Sequence, residues 1–184
     1  VKAGDGKSLI TTLELVSGYK AAAKAPRAYI FLPNGTYDLG ETVLTTISGN
    51  NISLIGESMD KTIIVNKPEI EGIGATATIL NTGKNLYIQD LTLQNAYDYY
   101  NAKDAGRAIC LQDRGSQTIC KKVKMLSYQD TYYSNDPQGK GQYYFEDSEI
   151  HGTVDYICGG GDAYFNRVLL VNESRSGSGK SCLL

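Results

Sequence analysis

The sequence predicts an all-β chain wound as a right-handed parallel β-helix with a short N-terminal capping helix, and three observations carry that expectation. First, four six-residue segments superpose: IQDLTL from Ile88, CKKVKM from Cys120, FEDSEI from Phe145 and FNRVLL from Phe165. Each runs bulky, two mostly polar positions, small or β-branched, variable, aliphatic. Second, their starts lie 32, 25 and 20 residues apart. A constant strand unit with loops of varying length marks a solenoid, in which each coil buries its apolar inside only against the coils above and below. Third, amphipathic helical stripes are missing from most of the chain. Propellers and helical repeats would also hold their period better, and a hydrophobic content of 41 % suits the narrow core of a solenoid.

In chain order, LITTLELVSGYKAAAK, Leu9 to Lys24, reads as the one helix, with Ala21 to Ala23 adding propensity and Pro26 ending it. AYIFLPNGTY is a strand closed by the turn pair Asn34-Gly35, and NISLIGES and KTIIVNK are further short strands set off by Gly, Asn and Ser. The C-terminal string SGSGKSCLL offers no amphipathic cap, so the last coil is expected to expose a strand edge. Residues 1–184 are expected to form a single domain.

A net charge of −2 without a basic block argues against nucleic acid and against an anionic membrane surface as partners. No apolar run approaches the roughly 20 residues a bilayer requires, and the opening VKAGDGKS lacks the apolar centre of a signal peptide. Tyrosine is abundant, 14 against 3 Phe and no Trp, which suits either extended polar ligands such as sugars or strand packing. The four cysteines, Cys110, Cys120, Cys158 and Cys182, form no CxxC pair and read as buried free thiols; were any two bridged, Cys110 and Cys120 would be the pair.

Two acids stand among aromatic and small neutral residues that offer them no cation: Asp130 in YQDTYY and Asp155 in GTVDYI. With Phe145 aligned on Cys120, each acid lies ten residues after its anchor. Stacked coils are about 4.7–4.9 Å apart, so equal offsets place the two carboxylates one above the other on one face. Such a pair cannot both ionise cheaply: one holds a proton while the other stays a nucleophile, a division suited to acyl or glycosyl transfer. Both could instead cap turns, as Asp often does.

The strings GYKAAAK…AYIFLPNGTY, GATATI, DLTLQN, YQDTYYSN, YYFEDSEIHGTVDYICGGGDAYF and LLVNES, spread from about Gly4 to Ser174, resemble the pectin methylesterase (pectinesterase) family. The resemblance implies a parallel β-helix, removal of methyl groups from galacturonosyl residues of methyl-esterified pectin, no metal or cofactor, and a secreted or periplasmic location. It implies Asp155 as nucleophile, Asp130 as the acid and then the base, and Gln129 as an oxyanion donor. Tyr132, Tyr133 and Tyr156 flank the acids as candidates for sugar contacts or for packing on the coil surface.

The likeness breaks at two places. A second family glutamine, in a QAVAL-like string, aligns with Arg107 of RAICL, while Gln112 lies five positions on. Arg107 could bind an oxyanion or a substrate carboxylate, or stand as an exposed charge. The family's arginine in a GRPW-like segment has no counterpart before Leu184, and Arg175 follows Asp155 too closely to take its role. The expectation is therefore an N-terminal portion of the family domain, its open end covered by self-association or by a C-terminal fragment. His151, the single histidine, has no GxSxG serine to serve, and Gly159 to Gly161 reads as a tight bend rather than a phosphate loop. Two other functions stay open: an inactive pectin-binding fragment and a calcium-dependent polysaccharide lyase, the latter without a visible acidic cluster.

Overall fold

Positions 1, 4 and 6 of the six-residue unit, apolar in every copy except for Ser148, could not share one face of a flat strand, whose side chains alternate. In the computed structural model, which describes residues 1–19, 26–41, 45–74, 76–102 and 104–175, the third position removes the conflict. Asp90, Lys122, Asp147 and Arg167 take positive φ angles of 54°, 50°, 50° and 52°. One left-handed residue at this step of each coil bends the strand and resets the alternation, so Ile88, Leu91 and Leu93 all face inward, as do Cys120, Val123 and Met125. Each such residue costs about 1–2 kcal/mol outside glycine, which burial of three side chains per coil offsets. At the same step of the preceding coil stands Gly56, where a Cβ would fall 2.1 Å from the Asp90 carbonyl oxygen.

The elements in order are α1 (Gly6–Tyr19), β1 (Ala28–Leu32), β2 (Gly35–Asp38), β3 (Thr45–Ile47), β4 (Ile52–Gly56), β5 (Thr62–Asn66), β6 (Ile79–Asn81), β7 (Tyr87–Asn95) and β8 (Leu111–Asp113). They continue with β9 (Thr118–Leu126), β10 (Tyr132–Ser134), β11 (Gln142–Glu146), β12 (Glu149–Gly152), β13 (Ile157–Gly159), β14 (Asp162–Asn166) and β15 (Leu169–Asn172). Three parallel walls result. One stacks β1, β4, β7, β9, β11 and β14; a second stacks β2, β5, the far halves of β7 and β9, β12 and β15; the third stacks β3, β6, β8, β10 and β13. This is a parallel β-helix, and the repeat anchors pair in sequence: Ile88 with Cys120, Cys120 with Phe145, Phe145 with Phe165. Phe145 stacks on Phe165 at 4.9 Å between centroids and receives the edge of Tyr132 at 4.8 Å.

Helix α1 starts at Gly6 rather than Leu9, because the Asp5 carboxylate (Oδ1) accepts the Ser8 main-chain N–H at 2.9 Å and so caps the first turn. Leu9 and Leu13, one turn apart, are buried, and the helix packs on β2 and β3. Residues 20–25, which hold Ala21 to Ala23 and the rest of the expected helix, lie outside the described residues. Asp5→Ala is expected to cost about 1 kcal/mol, read as a melting temperature lower by about 2–4 °C.

Cys110 and Cys120 are buried and free, and Cys158 is half-buried and free; Cys182 lies outside the described residues. The Cys110 thiol donates to the carbonyls of Leu93 and Leu126, and burial pushes its pKa up to about 12. No helix among the described residues is long and apolar enough to cross a membrane.

Candidate active site

Asp130 lies on the turn between β9 and β10, Asp155 on the turn between β12 and β13. Tyr132 pairs with Ile157 and Tyr133 with Cys158, a constant offset of 25 residues, which is also the separation of Asp130 from Asp155. The ladder continues past the strand ends, with the Asp130 N–H donating to the Val154 carbonyl at 3.1 Å and the Tyr132 N–H to the Tyr156 carbonyl at 3.0 Å. Both acids are left-handed, φ 60° and 45°. They are thus the same step of adjacent coils in the same unusual backbone conformation, which Asp tolerates better than most residues.

Their surroundings differ. Asp130 is 3 % exposed, and its Oδ2 has no hydrogen-bond partner, whereas Asp155 is half-buried. Burial, then the negative charge of Asp155, raises the Asp130 pKa to about 6; Arg107 opposes this and Glu71 adds to it. An acid that keeps its proton into the mildly acidic range beside a better-solvated carboxylate is the arrangement a proton donor and a nucleophile require.

The turns are held from both coils. The Thr131 hydroxyl donates to the His151 carbonyl at 2.8 Å, and the Thr153 N–H donates to the Tyr128 carbonyl at 2.7 Å. Gly152 leaves no room for more: a Cβ there would lie 2.2 Å from the Tyr156 Cβ and 2.5 Å from the Tyr128 oxygen. Gly152→Ala is expected to cost about 2 kcal/mol through overpacking, lowering the melting temperature by about 4–8 °C. Gly159, at φ 111° with a would-be Cβ 1.8 Å from the Ser134 oxygen, makes the expected tight bend. It lines, with Asp155, Cys158 and Gly161, a recess of ≈ 350 Å³.

Gln129 and Arg107 form a parallel bridge, so Arg107 stands directly below Gln129 on the preceding coil. Its guanidinium is held by Glu71, with Nε donating to Oε2 at 2.7 Å and Nη2 to Oε1 at 2.6 Å. Gln112 instead pairs with Tyr133 and is buried. The described residues contain no group of three or more His, Cys, Asp or Glu side chains placed to share a metal ion.

The family model for pectinesterase matches residues 1–183. This chain belongs to the pectinesterase family. Pectinesterase 2 from Citrus sinensis is 29 % identical over 163 residues, covering 86 % of this chain and 29 % of its own length. Pectinesterase 2.1 from Solanum lycopersicum is 29 % identical over 179 residues, covering 93 % and 30 %. Among solved structures, pectin methylesterase PemA from Erwinia chrysanthemi superposes with a TM-score of 0.70 at 29 % identity, over 88 % of this chain and 51 % of that one. A pectin methylesterase in complex with hexasaccharide VII gives 0.72 at 28 %, over 90 % and 53 %. The chain thus spans about 30 % of the length of these curated relatives and about half of the solved ones.

Within this pectinesterase-family site, two of the three sequence-derived tyrosines are corrected. Tyr132 is 1 % exposed, its ring packed edge-on against Tyr143 and Phe145, and Tyr156 is 1 % exposed with its hydroxyl donating to the Asn172 side chain at 2.7 Å. Neither presents a ring face to a sugar. Tyr156 directly follows Asp155 and an ordinary pleat already turns it inward, whereas Tyr132 lies two residues after Asp130 and turns inward because the left-handed acid shifts the alternation by a step; Tyr133, half-buried between Gln112 and Cys158, is the one left on the outer side.

A different aromatic group escaped the sequence reading. Tyr99 stacks on Tyr128 at 4.7 Å and 9°, and Tyr100, 51 % exposed, meets both edge-on. Tyr128 immediately precedes Gln129, and with Tyr100, His151 and Glu173 it lines a recess of ≈ 270 Å³. The YDYY run from Tyr97 was the available signal. His151 is held between Glu173 at 2.8 Å and Glu149 at 3.5 Å, and no serine among the described residues hydrogen-bonds to its ring.

Proposed function

We propose that this chain supplies the acid pair of a carboxylic ester hydrolase that removes methyl groups from methyl-esterified homogalacturonan. The observation carrying this reading is the in-register stacking of Asp130 on Asp155 with unequal burial, within a pectinesterase-family fold. An Asp155 carboxylate oxygen attacks the ester carbonyl carbon. The Gln129 amide donates to the oxyanion that forms, a contact worth about 3 kcal/mol in a transition state. The protonated Asp130 gives its proton to the departing methoxy oxygen, and methanol leaves an acyl-enzyme on Asp155. Asp130, now ionised, takes a proton from water as that water attacks the acyl carbon; the bond to Asp155 breaks, the Asp155 carboxylate and the protonated Asp130 are restored, and the galacturonic acid leaves and gives its remaining proton to solvent. No metal or cofactor enters these steps.

Arg107 and Tyr133 are the proposed substrate contacts. The guanidinium Nη1 makes no hydrogen bond to a described residue, leaving an edge for a galacturonate carboxylate. A polymer of this kind is met outside the cytoplasm, which favours a secreted or periplasmic location. β13, β14 and β15 each pair with a strand on one side only among the described residues, and Tyr164 and Leu169 on that coil are 66 % and 56 % exposed. We propose that a further coil, from a C-terminal fragment or a second copy of the chain, covers it.

The test is methanol release from esterified pectin, with and without chelator, alongside detection of unsaturated products. Methanol without unsaturation, insensitive to chelator, is the expected result. Unsaturated ends would assign a lyase, and pectin binding without methanol would leave a binding fragment.

A further inference from the structure

Arg107 is the cation that bears on Asp130, and it is braced from two directions. Beyond the two side-chain hydrogen bonds, the Arg107 main-chain N–H reaches Glu71 Oε2 at 3.3 Å. The Gly72 N–H donates to the Arg107 carbonyl at 3.1 Å, and the Thr76 hydroxyl lies within 2.9 Å of the Gly72 carbonyl and 3.3 Å of the Arg107 carbonyl. The segment between β5 and β6 is therefore tied to the coil that precedes Gln129. Solvent-exposed ion pairs add little stability. The Glu71 side chain is only 18 % exposed and the pair is forked, a geometry that fixes direction as well as proximity.

We propose that Glu71 is a positioning residue for the acid pair: by gripping Arg107 it fixes where the guanidinium sits on the cleft wall, and so how strongly that cation draws the proton off Asp130. The two members act in opposite senses on Asp130, Arg107 favouring the carboxylate and Glu71 the protonated acid. With the pair intact, burial and the Asp155 charge remain the larger influences and keep Asp130 able to donate. The other groups in the neighbourhood are few. Asp104 acts on Arg107 and accepts the Tyr97 hydroxyl at 2.8 Å, and Cys158 on the following coil stays a thiol, pushed up to about 12 by burial and the two acids.

The proposal rests on the esterase reading for its kinetic consequence but not for its direct measurement. The 13C resonance of the Asp130 carboxyl, assigned by its loss in Asp130→Asn, is titrated in the full chain for wild type, Glu71→Gln, Arg107→Gln and the double variant. Glu71→Gln removes an anion and frees the cation, so the midpoint falls. Arg107→Gln removes the cation and leaves the anion, so the midpoint rises. Each shift is expected to be about half a pH unit or more, with the double variant returning toward wild type. Arg107→Lys, which keeps the charge and loses the fork, should move the midpoint less than Arg107→Gln and guards against a misfolded variant. Midpoints that stay put, or that move the same way in both single variants, overturn the proposal. Opposite shifts in a chain that releases no methanol would instead remove the esterase reading and leave Glu71 in its role.

Discussion

Asp155→Asn is expected to reduce methanol release from esterified pectin by about 10⁴-fold or to the detection limit, while the protein stays folded. An amide cannot form the acyl-enzyme, and no other described carboxylate shares the coil step of Asp130. Stability should hold because Asp155 is half-buried and its left-handed backbone, φ 45°, suits Asn. Asp155→Ala should lose activity equally and about 1 kcal/mol besides, since alanine resists that conformation. The same change removes a neighbouring negative charge from Asp130, so the Asp130 midpoint should fall below about 6. Activity within tenfold of wild type would move the nucleophile elsewhere.

Asp130→Asn is expected to do two opposite things: suppress turnover and raise stability above neutral pH. The folded pKa of about 6 exceeds the value of about 3.9 for an unperturbed aspartate. The native state therefore binds the proton more tightly than the unfolded chain. Its contribution is fully present below about pH 4 and is lost as pH rises through about 6. Above pH 7 the wild type carries a buried charge that Asn does not. The full linkage is about 2–3 kcal/mol, part of which is returned because the amide inherits the unpartnered position of Oδ2. A gain of about 1–2 kcal/mol remains, or about 3–6 °C in melting temperature at pH 7.5, and near pH 4, where the linkage is almost gone, the cost of the amide leaves the variant slightly less stable than wild type. In the wild type the same ionisation should appear as the alkaline limb of kcat/KM, with a midpoint near 6. Equal melting curves at both pH values would mean that Asp130 is not held protonated by its surroundings.

The acids were legible because a solenoid repeats. Once Phe145 is set on Cys120, counting places Asp130 against Asp155, and the strand register agrees. The tyrosines beside them were not legible in the same way. Counting alternate residues from Asp130 assumes an unbroken pleat, and that acid interrupts it with a positive φ, so Tyr132 went into the core against Phe145. Tyr156, next to Asp155, faces inward by plain alternation, and a hydrogen bond to Asn172 holds it there.

Local pattern alone determined the coil, its stacking register and the pairing of two carboxylates, because each depends on spacings that recur within one turn of the solenoid. Tertiary structure decided which side chains line the cleft and that Glu71 holds Arg107 there. Glu71 lies 36 residues before Arg107 and in no shared repeat, and Tyr99 meets Tyr128 from a separate loop. Such contacts form between coils through loops of unequal length, and a periodic pattern carries no information about where those loops fold back.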